Sequence, residues 1–259
     1  MDIDLEEQKK FVPEALRIVE EANEQGIILR LMGAIAIRLH SPEHAYLHEK
    51  LDRFITDIDF VAYEKQSSKI EKFFESQNYS RHLLSFSFAL GGRMIFKNNT
   101  DGRHIDVFLD RLEMCHKIDY KKRLEIDNPT VPLAELLLQK MQIIKISEKD
   151  IIDTTMLFLA HELGDTDKDT INAKHISQIL SKEWGFYYTV TTNLKKVASL
   201  MRNFDVLDES DKDVVSSRID ALIKRLDNEP KSRSWKMRAR VGTSKKWYKE
   251  VDSPGSKAV

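Results

Sequence analysis

Residues 53–61 have the sequence RFITDIDFV, and the remaining segments are interpreted outward from this one. Ile58 and Phe60 are β-branched or aromatic, which is typical of a β-strand. Side chains alternate between the two faces of a strand, so Asp57 and Asp59 point the same way, roughly 7 Å apart. Unpaired carboxylates on one face repel each other and are costly to bury, and a divalent cation removes the conflict. The segment therefore predicts a strand that presents oxygen ligands suited to Mg²⁺ or Mn²⁺.

A second segment, residues 104–110 with the sequence HIDVFLD, repeats this alternation. Asp106 lies on the face opposite to the apolar Ile105 and Val107. If the two strands are neighbours, Asp106 completes a cluster of three carboxylates, enough to hold two metal ions for attack on a phosphoryl group. The polar residues 98–102 predict a turn that leads directly into this strand. A lone Asp-x-Asp also occurs at ordinary strand ends. The prediction of a metal site therefore depends on Asp106 as the third acid.

Gly33 follows a short apolar run, residues 27–32, and precedes Ala34 to Leu39, which has the composition of a helix. The order strand, glycine, helix N-terminus can cradle a phosphate, because glycine permits close approach and the first N–H groups of a helix attract anions. A tight turn would explain the glycine equally well. Phosphate binding at Gly33 is therefore a hypothesis that depends on the neighbouring acids.

The order of these segments resembles the DNA polymerase β-like nucleotidyltransferase superfamily. The matching motifs are Gly33-Ala34-x-Ala36, Arg53-x-x-Thr56-Asp57-x-Asp59 and Ile105-Asp106-Val107-Phe108. The chain is most similar to the minimal bacterial and archaeal nucleotidyltransferases, which include the abortive-infection AbiEii-type toxins, over roughly residues 1–165. It departs from the family pattern at Ala34, where a second glycine or a serine is usual. One phosphate contact, or some backbone freedom, is lost with that residue.

The resemblance implies a metal-dependent transferase of phosphorus-containing groups. Such an enzyme moves a nucleoside monophosphate from a nucleoside triphosphate, such as ATP, to an acceptor hydroxyl. The implied metal ligands and catalytic acids are Asp57, Asp59 and Asp106, with Mg²⁺ or Mn²⁺ as the cofactor. The implied nucleotide-binding residues of the same domain are Gly33, Ala34, Arg53 and Thr56.

Lys140 is the one basic residue near the centre of an otherwise apolar helix predicted over residues 133–147. A buried lysine needs a partner, and a nucleotide phosphate is one candidate. In the toxin-like enzymes a lysine on the first helix after the catalytic domain and an aspartate in a Lys/Arg-Asp-x-x-Asp stretch belong to the active site. The matching residues are Lys140 as a catalytic residue and Asp153, with Asp150, at the nucleotide. Alternatively, Lys140 reaches solvent along its aliphatic stem and both acids favour a helix N-terminus.

The chain has 259 residues, enough for one large or two modest domains. We expect an α+β fold, with a polymerase β-like, mixed-sheet nucleotidyltransferase domain over residues 1–128 and a helical bundle domain over residues 129–228. In this interpretation the nucleotide binds between the two domains. Further bundle helices are predicted over residues 149–163, 167–180, 187–204 and from about residue 208 to residue 226.

Residues 229–259 form a separate basic and aromatic tail. Between residues 231 and 249 it carries eight lysines and arginines and no acid, interleaved with Trp235, Trp247 and Tyr248. Basic charge beside aromatic rings suits RNA phosphates and unstacked bases. Alternatively, the tail is a basic arm on the acidic first helix, with its tryptophans anchored in the core. We expect residues 253–259 to be disordered.

Charge and composition argue against several other classes of protein. The formal net charge of −1 gives no overall attraction to polyanions. Whether the protein binds a polyanion therefore depends on local clusters of charge. One cysteine, Cys115, cannot form an intrachain disulfide framework. Residues 40–52 are predicted to be a polar loop whose histidines His40, His44 and His48 are solvated rather than metal-bound. No apolar run approaches the ~20 residues of a membrane span, and the N-terminus lacks signal-peptide features, so a cytoplasmic protein without membrane contact is expected.

The acceptor is left open between the 3′ end of an RNA, a protein side chain and a small molecule such as an antibiotic. The basic tail and the toxin-like resemblance favour RNA, and a toxin of a toxin–antitoxin system would have an antitoxin protein as partner. A second hypothesis is a catalytically silent nucleotide- or RNA-binding module. A third, a helical adaptor, would leave the three acids in two apolar strands unexplained.

Overall fold

The structure is a computed structural model that describes residues 5–82 and 92–251. It is a mixed α and β protein that divides into two compact units. The first unit consists of Met1–Leu39, Phe54–Glu113 and Lys117–Pro132. The second unit consists of His40–Arg53, Met114–His116 and Leu133–Val259, so two short segments from within the predicted transferase domain belong to the helical unit.

The elements are named here in chain order. The helices are α1 (Leu5–Glu24), α2 (Gly33–His40), α3 (Tyr46–Lys50), α4 (Ser67–Ser76), α5 (Leu133–Met141), α6 (Glu148–Ala160), α7 (Ala173–Leu180), α8 (Trp184–Leu200), α9 (Glu209–Asn228) and α10 (Arg233–Val241). The strands are β1 (Leu29–Met32), β2 (Asp57–Ala62), β3 (Tyr79–Arg81), β4 (Arg93–Asn98), β5 (His104–Leu109), β6 (Arg111–Glu113), β7 (Lys117–Asp119), β8 (Leu163–Gly164) and β9 (Ile171–Asn172).

The first unit contains a five-stranded mixed sheet in the order β1-β2-β5-β4-β3. Strands β2 and β5 run parallel, and every other neighbouring pair in this sheet is antiparallel. Both segments that the sequence predicted as acid-bearing strands are strands, and they are direct neighbours. The turn predicted at residues 98–102 joins the antiparallel strands β4 and β5. Residues 79–90 are aromatic and predict a further strand. Strand β3 begins there at Tyr79, and the part of this segment beyond residue 82 lies outside the described residues.

One face of this sheet carries the core of the first unit. The apolar residues of β2 and β5 that alternate with the acids, including Ile58, Phe60 and Ile105, are fully buried. Helices α1 and α4 pack in this layer. Phe74 of α4 stacks on Phe96 of β4, with ring centroids 4.4 Å apart. Because burial of these side chains fixes which face is inside, the acids at alternate positions are directed to the other face.

The second unit is helical, and the largest differences from the predicted helix bounds are at the end of α5 and the start of α7. The helix predicted over residues 133–147 ends at Met141, because Ser147 caps the next helix, α6, by accepting a hydrogen bond from the Asp150 N–H. The Asp150 carboxylate accepts the return bond from the Ser147 N–H, which completes a capping box. The helix predicted over residues 167–180 begins only at Ala173, because Ile171 and Asn172 pair with β8.

The tail folds back on the second unit. Trp235 of α10 contacts the ring of Tyr187 on α8, with centroids 5.2 Å apart. Trp247 contacts Tyr188 at 5.2 Å and Trp184 at 6.5 Å. The tail tryptophans therefore pack against α8 and are half-buried, which matches the alternative in anchoring their rings but not in placing them in the core. Residues 253–259, predicted to be disordered, lie outside the described residues. Within the described residues, none of the helices combines the length and apolar composition needed to cross a bilayer.

Candidate metal centre and buried ion cluster

The three predicted acids meet on one face of the sheet. Asp59 of β2 lies directly opposite Asp106 of β5 in the parallel pairing, and Asp57 lies two residues before Asp59 on the same face. One carboxylate oxygen from each residue lies within 4.8 Å of the others. The predicted convergence of Asp57, Asp59 and Asp106 is therefore confirmed, and the cluster can hold a metal ion.

Gly33 lies against this cluster. Met32 pairs with Asp59 across β1 and β2, and Gly33 follows with φ +71° as the first residue of α2. A Cβ atom at Gly33 would lie 2.6 Å from Asp59 Oδ2, closer than two such atoms can approach. The sequence predicted a glycine for close approach of a phosphate. In the structure, the group that needs the missing side chain is a carboxylate of the acid cluster.

Arg93 is a member of the site that the sequence analysis missed. Its Nε donates to Asp106 Oδ1 at 3.1 Å and its Nη2 donates to Asp106 Oδ2 at 2.5 Å. Its guanidinium carbon lies 5.1 Å from the ring centroid of Phe108. A signal was present, because Arg93 pairs with Phe108 in the β4–β5 register and Phe108 shares a face with Asp106. That signal can be used only once the register is known.

The three acids differ in how far their side chains are exposed to solvent. Asp57 is exposed and Asp59 is half-buried, whereas Asp106 is 7% exposed. Burial raises the pKa of the Asp106 carboxyl, while the hydrogen bonds and the charge of Arg93 oppose that rise and the charge of Asp57 adds to it. A buried carboxylate of this kind gains from a cation.

The residues present fit a divalent cation. All three donors are carboxylates, the ligands that Mg²⁺ and Mn²⁺ prefer. Asp106 already holds a positively charged group with both of its oxygens. Gly33 has no Cβ atom and so leaves room for the Oδ2 atom of Asp59. A metal ion at this position would be held by Asp57, Asp59 and Asp106.

Thr56 and Ala34, predicted to bind the nucleotide, lie beside the acids. Thr56 Oγ1 donates to Asp57 Oδ1 at 3.2 Å from an exposed position. Ala34 is the half-buried second residue of α2. Thr56 therefore contacts one of the three clustered acids directly, and contacts of either residue with a nucleotide stay predictions.

Arg53, Lys140 and Asp153, the remaining predicted site residues, meet in a second cluster within the helical unit. Asp153 is fully buried in α6 and accepts from Arg53 Nε at 3.1 Å and from Arg53 Nη2 at 2.9 Å. Lys140 Nζ lies 2.7 Å from Asp153 Oδ2 and 3.0 Å from Asp150 Oδ1. The partner of the buried lysine is thus a pair of aspartates, and the snorkelling alternative for Lys140 is wrong.

Three cationic or polar groups surround Asp153 and fix its charge state. Burial alone would raise the pKa of the Asp153 carboxyl, but Lys140, Arg53 and the hydrogen bond to His48 outweigh it and hold that pKa well below 3.8. Burial would lower the pKa of Lys140, but the charges of Asp153 and Asp150 keep it above its usual value. Both groups are therefore charged at neutral pH.

His48 corrects the prediction of a solvated loop. Residues 40–52 contain a short 3₁₀ turn, Pro42–His44, and helix α3, rather than an irregular loop. His48 is 1% exposed, and its Nε2 lies 2.9 Å from Asp153 Oδ1. Leu47 beside it is also buried, and the imidazole supplies Asp153 with a further partner. Histidine spacing alone gave no signal of this contact.

Comparison with known proteins does not assign the chain to a family. No protein-family model matches the chain, and no curated protein matches it either. The resemblance to the nucleotidyltransferases rests on the motifs and stays a prediction.

Proposed function

We propose that the chain is a metal-dependent nucleotidyltransferase of the polymerase β-like superfamily, closest to its toxin-like members. It transfers a nucleoside monophosphate from a nucleoside triphosphate to an acceptor hydroxyl and releases pyrophosphate. The observation that carries the proposal is the convergence of three carboxylates within 4.8 Å on neighbouring parallel strands. Few other roles require three acids on one face of two otherwise apolar strands, because their mutual repulsion costs stability without a cation.

Each residue of the first unit has a distinct task in this proposal. Asp57, Asp59 and Asp106 hold the divalent cation, which when bound neutralises phosphate charge and makes the acceptor oxygen a better nucleophile. Thr56 fixes the carboxylate of Asp57 through its hydroxyl. Gly33 leaves room for Asp59 at the start of α2, whose first N–H groups favour an anion.

In the second unit, Arg53 and Lys140 provide positive charge, and three contacts with Asp153 hold their side chains in place. Fixed cations of this kind stabilise charge that develops on a triphosphate. The role of Asp153 in this proposal is to position the two cations. A direct contact between Asp153 and a nucleotide is not needed.

The charge of the tail supports an RNA 3′ end as the acceptor, over a protein or a small molecule. Arg233, Lys236 and Arg240 are exposed on α10 at a spacing of three to four residues, which places them on one side of the helix. Such a row of cations matches a nucleic-acid backbone. The toxin role, and with it an antitoxin partner, rests on the resemblance.

Incubation with each labelled nucleoside triphosphate, Mn²⁺ or Mg²⁺ and either total RNA or lysate tests the proposal. Label should appear on RNA and be lost in the Asp57→Ala/Asp59→Ala variant. The matched control is Asp211→Ala/Asp213→Ala, which removes an Asp-x-Asp pair of the same spacing from α9 and should keep full transfer. Label on protein or on a small molecule would change the acceptor. Metal-dependent nucleotide binding without transfer would favour the silent module, and no binding at all would contradict the proposal.

A further inference from the structure

The first unit has an open groove of about 460 Å³ between α1 and the residue that leads into β5. All of its lining residues belong to the first unit, and none belongs to the acid cluster. Four of the six lining residues are basic, and the full set is Lys9, Lys10, Pro13, Glu14, Arg17 and Arg103. The groove is therefore a separate candidate site, and its lining favours an anion.

Arg103 is the buried cation of this groove. Its side chain is 7% exposed, and its Nη2 pairs with Asp101 Oδ2 at 3.0 Å. Its guanidinium carbon lies 5.0 Å from the ring centroid of Phe11 on α1. The Nε–H group of Arg103 is also buried, and within the described residues it has no hydrogen-bond acceptor. Because a buried donor without an acceptor is costly, Arg103 gains stability if an anion in the groove accepts from Nε.

Glu14, the acid in the lining, is bound by donors of the protein. Its Oε1 accepts from Arg17 Nη2 at 2.8 Å and from the Tyr79 hydroxyl at 2.9 Å, and its Oε2 accepts from Arg17 Nε at 2.9 Å. The hydrogen bonds from Arg17 hold the pKa of the Glu14 carboxyl below its usual value. These bonds offset the repulsion that the Glu14 carboxylate exerts on an anion in the groove.

The two lysines make the groove suitable for a phosphate that carries more than one charge. Lys9 and Lys10 are exposed, and each ammonium is a point charge on a flexible stem. A phosphomonoester carries about −1.5 to −2 charges at pH 7 and has three acceptor oxygens, so one guanidinium and two ammonium groups can bind it together. A phosphodiester has a single charge and fewer free oxygens, and it gains less from several cations.

We propose that this groove binds the phosphomonoester group of a small ligand, with Arg103 as the buried anchor and Lys9 and Lys10 as the exposed cations. In the bound state the Nε–H group of Arg103 donates to a phosphate oxygen. The site uses neither the acid cluster nor a metal ion, so the inference goes beyond the proposed transfer reaction and does not rest on it.

NMR of the arginine Nε–H signals tests this site in the full chain, titrated with ribose 5-phosphate in the presence of EDTA. The Arg103 signal, assigned by its loss in Arg103→Lys, should shift during the titration. Lys9→Gln/Lys10→Gln should weaken binding about 10-fold or more, since a hydrogen bond to a charged group contributes roughly that factor. The matched control Lys69→Gln/Lys72→Gln removes the same charge from exposed positions on α4 and should bind as wild type.

Dimethyl phosphate, a phosphodiester, separates a terminal phosphate from a nucleic-acid backbone in the same titration. It should bind about 10-fold more weakly than ribose 5-phosphate, because it has less charge and fewer acceptor oxygens. Equal affinity for both probes would overturn the terminal phosphate and assign the groove to a phosphodiester backbone. An unchanged Arg103 signal, or equal affinity in wild type and the Lys9/Lys10 variant, would overturn the groove as a site. Since EDTA removes divalent cations, each of these results is independent of the acid cluster and its proposed reaction.

Discussion

Gly33 shows how much a single position determines at the residue scale. A Cβ atom there would lie 2.6 Å from the Oδ2 atom of Asp59, and φ is +71°. Gly33→Ala should therefore lower stability by about 1–2 kcal/mol through the backbone alone. It should also weaken Mn²⁺ binding by roughly 10-fold or more, because the displaced carboxylate can no longer share the ion. Isothermal titration with Mn²⁺ and urea unfolding measure the two effects.

Gly26→Ala is the control for this substitution. Gly26 has nearly the same backbone conformation, φ +68°, but an added Cβ would meet nothing within 4 Å. The stability loss should be similar and Mn²⁺ binding should be unchanged. Equal metal affinity in both variants would show that Gly33 does not position Asp59.

The same scale shows what the sequence could predict of the site. Asp57, Asp59 and Asp106 were predictable because alternation with a period of two is a local property of a strand. Arg93 was not, since its contact with Asp106 depends on the register between β4 and β5. Nor was the reason for Gly33, because the carboxylate it accommodates is 26 residues further along the chain.

At the scale of elements, Asp153 joins α3, α5 and α6 through buried charges. Its partners are His48 on α3, Arg53 just after α3, and Lys140 on α5. Asp153→Ala leaves Arg53 and Lys140 buried without this carboxylate and should lower the free energy of unfolding by about 3–5 kcal/mol. Asp213→Ala, which removes the exposed partner of Arg202, is the control and should cost less than about 1 kcal/mol.

The pH dependence of this cluster follows from the lowered pKa of Asp153. Because the folded pKa lies well below the unfolded value of about 3.8, the stabilisation is fully present above that value and is lost as the pH falls toward the folded pKa. The stability difference between wild type and Asp153→Ala should be constant from about pH 5 to 8 and shrink below about pH 4. A difference that already shrinks between pH 7 and 5 would contradict this assignment.

Elements were predicted best where periodicity alone defines them. The strands β2 and β5 match the prediction, since their buried faces follow from the alternation of apolar and polar residues. The segment 40–52 did not, because His48 is buried by its contact with Asp153 on a helix that is distant in the sequence. Helix ends were shifted where a capping side chain, such as Ser147, or a short strand pairing competed with the apolar pattern.

At the scale of the whole molecule, charge is distributed unevenly along a nearly neutral chain. The formal net charge is −1, yet residues 231–249 contain eight basic residues and no acid. In the structure, some of these basic residues contact other parts of the protein and others are exposed. Arg238 lies over the Trp184 ring and donates to the carbonyl oxygen of Gly242, and Lys231 donates to carbonyl oxygens at the end of α9. Arg233, Lys236 and Arg240 are exposed, so the tail is an anchored helix with a basic outer side.

This division predicts that the outer side of α10, rather than the tryptophans, carries the electrostatic part of RNA binding. Arg233→Gln/Lys236→Gln/Arg240→Gln should weaken binding of a single-stranded RNA and lower the slope of log K against log salt by about 2, since each lost phosphate contact removes about 0.7. Fluorescence anisotropy over a range of salt concentrations measures both quantities. The control Lys69→Gln/Lys72→Gln/Lys117→Gln removes the same charge from exposed positions of the first unit and should keep the wild-type slope. An identical slope in both triple variants would mean that α10 does not contact the RNA backbone, because counterion release is proportional to the number of phosphates that the protein neutralises.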